Sequence, residues 1–404
     1  MSASQPLSLS HPKFPAAGRA LLAILAQLRH GSLKVVTPDG ETLWFGAAQT
    51  HVSAELTLRD WRACARILSG GDIGFAEAYR DGWLDCQDLT GLLQLMLRNE
   101  DALQLGALGR WAARLWHRLR HLLRVNSRRG SRRGSRRNIH AHYDIGNDFY
   151  KLWLDPSWTY SSAWFDGDYS QPLAQAQARK YQRICEQLQL RPGMRVLEIG
   201  CGWGGFAEHA ARLGVSVHGI TISDAQLSFA RRRLAKEPRV TLEHRDYRDL
   251  SGQYDAIVSI EMFEAVGERY WRGYFDTLRR CLKPGGQALA QSITIDESRF
   301  EAYRASTDFI QAFIFPGGML PSRERFERAA HQSGLTSHKR LDFGADYAET
   351  LRRWREAFET QLDAIRGQGF DEAFIRLWRL YLCYCEAGFD AGRIGVSQFL
   401  LQRT

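Results

Sequence analysis

From residue 195 onward, short apolar runs alternate with stretches of helical period. Arg195 to Ile199, Val215 to Ile220, Val240 to Glu243, Ala256 to Ile260 and Gln287 to Ser292 read as strands separated by helical segments. Near-continuous apolar strands are buried on both faces, so the pattern predicts an α/β fold: a parallel sheet with helices on each side. Toward the amino terminus the pattern changes. Leu33 to Phe45 alternates apolar and polar positions around Pro38-Asp39-Gly40, which predicts a β-hairpin, and Thr57 to Arg98 carries helical periodicity around Gly70-Gly71. A small α+β unit at the amino terminus is expected.

Between the two lies a segment of a third kind. Leu108, Trp111, Ala112, Leu115, Leu119, Leu122 and Leu123 recur at helical spacing, with Arg110, Arg114, Arg118, Arg120 and His121 on the other sides. Ser127 to Asn138 then reads SRRGSRRGSRRN, a basic linker with no apolar residue. The chain of 404 residues has a net charge of +9, and Gln104 to Asn138 alone holds eleven arginines and no acidic residue. The rest is therefore close to neutral, and attraction to an anionic partner is local. An all-basic polar face with tryptophans beside a polybasic stretch suits an anionic membrane surface, where each cation contributes about 1 kcal/mol. The plainer alternative is a helix packed on its own domain with a solvated face. The division expected is 1–105 for the amino-terminal unit, with a lipid-binding or dimerising role, 106–137 for the basic helix and linker, and 138–404 for the catalytic domain.

Composition narrows the class further. Seven cysteines show neither paired C-x-x-C units nor zinc spacing, so no metal site is expected and a reducing compartment fits. Ala20 to Leu28 is too short to span a bilayer and lacks a cleavage pattern, so the reading is a cytoplasmic protein held peripherally on the inner face of the membrane.

The candidate chemistry begins where the first strand of the carboxy-terminal half meets Gly200-Cys201-Gly202-Trp203-Gly204-Gly205. A G-x-G-x-G turn lets backbone approach a ligand closely, and Glu198 just before it suits a ligand amino group. The spacing differs from the dinucleotide fingerprint. It resembles the first motif of class I methyltransferases, whose Rossmann-like sheet binds S-adenosylmethionine. Asp246-Tyr247 after the third strand, Tyr254-Asp255 before the fourth and Leu282-Lys283-Pro284-Gly285-Gly286 before the fifth follow in the expected order. No acidic residue ends the second strand; Gly219 to Gln226 stands there, and Gln226 can supply hydrogen bonds to a ribose.

A longer set of motifs resembles cyclopropane fatty acid synthases and the related mycolic acid methyltransferases: His142 to Asp148, Tyr160-Ser161, the glycine turn, Gly219 to Gln226, Met262-Phe263-Glu264, Phe315 to Gly318 and Phe343 to Tyr347. A fainter likeness to the amino-terminal domain of the longer synthases lies at Gly71 to Trp83. The resemblance covers about Asn138 to the carboxyl terminus. It implies cofactor contacts from Tyr160, Ser161, Gly200, Gly202, Thr221, Gln226 and Tyr247, to which the residue pattern adds Glu198, Gly204 and Asp246. It also implies methyl transfer to the alkene of an unsaturated phospholipid, with Phe263, Phe309, Phe313, Phe315, Tyr303 and Tyr347 as candidate aromatic walls for the resulting cation. Proton removal is attributed in such enzymes to a bound bicarbonate ion, and the resemblance assigns it to Glu264, Tyr347, Ser162, Gln291 and the backbone of Ile293. Ser162 and Gln291 stand where a cysteine and a histidine are usual. With a weaker or displaced base the same cation would give a methylene or methyl branch, and a non-catalytic member binding lipid or cofactor is a further reading. A nucleic acid methyltransferase is disfavoured, because neither an Asn/Asp-Pro-Pro-Tyr/Phe motif nor a Pro-Cys nucleophile is present.

Overall fold

The computed structural model of the chain describes residues 14–46, 53–103 and 145–403. Four amino-terminal strands, β1 (Ser32–Val36), β2 (Thr42–Gly46), β3 (Ser53–Leu58) and β4 (Leu84–Asp85), form a sheet in the order β2-β1-β3-β4. The hairpin expected around Pro38-Asp39-Gly40 joins β1 and β2, and Gly40 N–H donates to Thr37 O at 2.9 Å. The helix Arg62–Arg80 bends at Gly71, where φ is 57°. At Gly74 a Cβ would lie 2.0 Å from Arg66 O, so the two halves can fold this closely only over a glycine. Asp88 caps the next helix, Leu89–Arg98, by accepting from Gly91 N–H.

The larger sheet contains β5 (Arg195–Ile199), β6 (Ser216–Thr221), β7 (Val240–His244), β8 (Tyr254–Ile260), β9 (Leu282–Ile295), β10 (Leu335–Asp342) and β11 (Ile394–Arg403). Their order is β10-β11-β9-β8-β5-β6-β7. The five strands read from the apolar runs are parallel neighbours. The sheet as a whole is mixed, because β11 pairs antiparallel with both β9 and β10. The chain moves outward from β5 through β6 to β7 and then returns to β8 on the other side of β5. That reversal opens a crevice at the carboxyl ends of β5 and β8, the place where such sheets bind ligands.

The amino-terminal unit docks on the carboxy-terminal one through the helix Glu372–Asp390. Arg376 donates to Tyr79 O at 2.5 Å and to Leu84 O at 2.7 Å, and Thr90 Oγ1 donates to Glu386 Oε2. Buried Leu22, Leu33 and Leu92 share one apolar cluster with Trp354, Trp378 and Leu382, so the two units hold a common core. The basic helix and linker of 106–137, and His142 to Asp144, lie outside the described residues. Among the described residues no helix is long and apolar enough to cross a membrane, and no cluster of His, Cys, Asp and Glu could hold a metal.

Candidate active site

The turn after β5 uses left-handed backbone three times, with φ of 84° at Gly200, 51° at Gly202 and 83° at Gly204. Gly200 and Cys201 N–H both donate to Ile220 O at 2.9 Å, which ties the turn to β6. A Cβ at Gly202 would meet nothing within 4 Å and would project where the cavity lies, so the missing side chain leaves room for a ligand. Gly204 serves a different purpose: it precedes the helix Gly205–Arg212, and a Cβ there would strike Leu234 at 2.9 Å. Of the residues read as cofactor-binding, Gly204 alone stands off the cavity wall.

The others converge. Glu198 is buried, accepts from the Ala207 N–H, and leaves Oε2 without a hydrogen bond; burial pushes its carboxyl up to about 8. Thr221 Oγ1 accepts from Ser223 N–H and donates to Gln226 Oε1 at 3.3 Å, while Ser223 Oγ caps the helix Asp224–Arg233. Asp246 pairs with Arg248 at 2.5 Å beside Tyr247. Tyr160 hydroxyl bonds that of Tyr381, and Ser161 Oγ accepts from Lys180 Nζ at 2.6 Å. These residues line a single cavity of about 1090 Å³. Bare glycine backbone, an unpartnered buried carboxylate oxygen and a hydroxyl-amide pair suit a ligand bearing an ammonium and ribose hydroxyls. The site therefore fits S-adenosylmethionine.

Two carboxyl side chains line the cavity just past the end of β8, Glu261 and Glu264, three residues apart. Glu261 adopts φ of 49°, a left-handed conformation that costs a non-glycine residue about 1–2 kcal/mol. Its Oε1 accepts from Ser162 N–H at 2.9 Å and Gln291 Nε2 at 2.7 Å, and its Oε2 accepts from Tyr347 hydroxyl at 2.6 Å. Glu264 Oε1 accepts from Ile293 N–H, and Oε2 makes no hydrogen bond. Burial, then the charge of Glu261, pushes the Glu264 carboxyl up to about 8. Burial also raises Glu261, opposed first by Lys180 and then by its hydrogen-bond donors. Fully buried Lys180 is pushed down to about 7 by desolvation, against the pull of Glu261 and Asp155.

Tyr303, Phe309, Phe315 and Tyr347 form aromatic wall around this region. Phe263 is instead core, packed against Trp271, Tyr274, Phe275 and Phe326, and Phe313 stands behind Phe309. Beyond the carboxylates the cavity continues into the amino-terminal unit, where Leu25, Leu33, Leu56, Phe75, Leu92 and Met96 line it. At that end Glu100 is held by Arg299 at 2.6 Å and Arg393 at 3.0 Å.

The family profile of mycolic acid cyclopropane synthetase matches residues 130–399. This chain belongs to that family. The synthetase-family chain is 38% identical to the tuberculostearic acid methyltransferase of Mycobacterium tuberculosis over 93% of its own length and 88% of the relative's. It is 37% identical to the cyclopropane-fatty-acyl-phospholipid synthase of Escherichia coli, over 84% of this chain and 85% of that one. A cyclopropane synthase of M. tuberculosis superposes with a TM-score of 0.62 at 32% identity, covering 66% of this chain and 98% of that one. A mycolic acid cyclopropane synthase complexed with SAH and CTAB gives the same TM-score at 31% identity, covering the same shares of the two chains. The protein is an S-adenosylmethionine-dependent methyltransferase of the cyclopropane synthase type.

Within this synthetase fold, the residues assigned to bicarbonate separate into two groups. Glu264, Tyr347 and Ile293 line the cavity, whereas Ser162 and Gln291 are fully buried behind it and bond Glu261. Ser162 hydroxyl donates to Ala163 O, so only its N–H turns toward the site. The donors meant for a bound anion are thus already engaged by the side chains of Glu261 and Glu264. The site does not fit bicarbonate. Sequence reading missed Glu261; the signal available was a second glutamate three residues before Glu264 at the carboxyl end of a strand.

Proposed function

We propose that this enzyme transfers a methyl(ene) carbon from S-adenosylmethionine to the double bond of an unsaturated phospholipid acyl chain at an anionic membrane surface. The observation that carries this reading is the continuity of the cavity, from the glycine turn past the paired carboxylates to the apolar lining of the amino-terminal unit. When bound, the donor supplies an electrophilic methyl on a sulfonium. The protein's own residues do the rest: apolar side chains hold an acyl chain extended, and the turn and Gln226 orient the donor. Tyr303, Phe309 and Phe315 present π faces to positive charge without offering a nucleophile. The basic segment at 106–137 accounts for peripheral attachment, since its charge exceeds that of the whole chain. A methyl- or methylene-branched product from the same cation is the second reading, favoured by the 38% identity to a tuberculostearic acid methyltransferase.

Expression with isotopically labelled methionine in a bacterial host lacking its own synthase tests the proposal. Extracted phospholipid acyl chains should gain one labelled carbon at the expense of an alkene, and chromatography against ring, methylene and methyl standards names the product. Purified protein that binds the donor yet leaves every acyl chain unlabelled would sink it.

A further inference from the structure

We propose that Glu261 is the enzyme's own proton acceptor, standing where the family resemblance puts a bicarbonate ion, so that this chain alkylates without that ion. The inference rests on the function proposed above. Its basis is the convergence of Ser162 N–H, Gln291 Nε2 and Tyr347 hydroxyl on one side-chain carboxylate, at 2.9, 2.7 and 2.6 Å. All three donors belong to residues the resemblance assigns to the exogenous anion, and a carboxylate presents the same planar pair of oxygens as bicarbonate.

The surroundings hold that carboxylate in place. Gln291 Oε1 accepts from Gln398 Nε2 at 3.0 Å, and Gln398 Oε1 accepts from Arg183, so the Gln291 amide is turned with its NH₂ toward Glu261. Lys180 Nζ is fixed by Ser161 Oγ and Ser162 O, and the charge of Glu261 favours its protonated form against the pull of burial. Glu261 N–H donates to Gln291 O at 2.8 Å, which locks the backbone in its left-handed turn. The side chain lines the same cavity as Gly200 of the donor turn and bonds Tyr347 of the aromatic wall, and Oε2 carries one donor against two on Oε1. A lone pair on Oε2 is therefore available for a proton.

In the reaction the alkene π pair forms a bond to the donor methyl as the carbon–sulfur bond breaks, its electrons remaining on sulfur as a neutral thioether. The acyl chain is left as a carbocation. Glu261 then takes a proton from the transferred carbon, and the C–H pair closes the third side of a ring. If a hydride has first shifted along the chain, the same pair makes a methylene double bond. In both outcomes the proton leaves the transferred carbon and the carboxylate becomes a neutral acid, which must lose its proton to water before the next turnover.

The test uses full-length enzyme, vesicles of unsaturated phosphatidylglycerol and labelled donor, in buffer freed of carbon dioxide and in the same buffer with added bicarbonate. Wild type should turn over equally in both. Glu261→Gln should lose at least about 100-fold, the usual worth of a general base. Glu261→Gly, which suits the positive φ and vacates the carboxylate's volume, should be inactive without bicarbonate and regain turnover when it is added. Donor affinity by calorimetry should stay at the wild-type value in both variants, which separates loss of chemistry from loss of fold. Bicarbonate dependence in wild type, full activity in Glu261→Gln, or a donor-binding Glu261→Gly that bicarbonate does not rescue would each overturn the role of Glu261. Wild type that labels no lipid in either buffer would instead overturn the proposed function.

Discussion

Replacing Glu264 with glutamine should flatten part of the protein's loss of stability as pH rises. In the folded chain Glu264 lies beside Glu261 with one oxygen unpartnered, and burial plus the neighbouring charge push its carboxyl up to about 8. In the unfolded chain the same group titrates near the ordinary value of about 4.3. Between those values the folded protein keeps a proton that the unfolded chain has released. Stability from this group is thus fully present below the unfolded value and is lost as pH climbs through the folded one, at about 1.4 kcal/mol per pH unit. Because Glu264 faces the cavity and is only partly shielded from water, the loss expected from about pH 5 to about pH 7 is roughly 2 kcal/mol, below the full linkage figure. Glutamine matches the protonated acid in shape and cannot titrate. Urea unfolding of both proteins across this range should show curves that converge at low pH and separate by that amount. Glu198 and Asp308 are also raised, but both proteins share them and they cancel in the difference. Parallel curves would refute the assignment of Glu264 as the raised carboxyl.

Gly202→Val should abolish measurable donor binding in calorimetry, because a β-branched side chain at φ of 51° would enter the cavity; its stability cost should be about 1–2 kcal/mol. Affinity for S-adenosylmethionine should rise with pH up to about 8, since an ammonium placed near Glu198 needs the ionised carboxylate that the free protein holds protonated below that value. Titrations in buffers of different ionisation enthalpy should therefore detect proton release, and Glu198→Gln should remove it. Deleting Gly106 to Arg137 should lower turnover on anionic vesicles at low salt and leave little further salt dependence; unchanged turnover would exclude a membrane role for that segment.

The fold was legible where burial on both faces makes strands continuously apolar, as in β5 and β8. It was less so for β10, whose Thr336, Ser337, Lys339 and Arg340 break any apolar run, and for β11, which ends a long helical stretch. The donor turn could be read because glycine at positive φ leaves a mark in the alphabet itself. The aromatic wall could be read only in part: Phe263 and Phe309 look alike in sequence, and only the packing of the former among Trp271, Tyr274 and Phe326 separates core from cavity. Glu261 was hidden for another reason. Its importance comes from donors at positions 162, 291 and 347 that meet only after the sheet has formed.

Those donors also explain the two departures noted in the sequence, once Glu261 is placed among them. An imidazole at position 291, beside a permanent carboxylate, would be drawn toward its charged form, and the resulting ion pair would weaken the carboxylate as a base. Glutamine donates one hydrogen bond and takes no proton, so it steadies Glu261 while leaving the basicity on the carboxylate. At position 162 the group that reaches Glu261 is the backbone N–H, and the hydroxyl is spent on Ala163 O. Serine therefore serves there without a thiol. Read singly, each substitution removes a ligand from an anion site; read with Glu261, both are compatible with a site whose anion is covalently part of the chain.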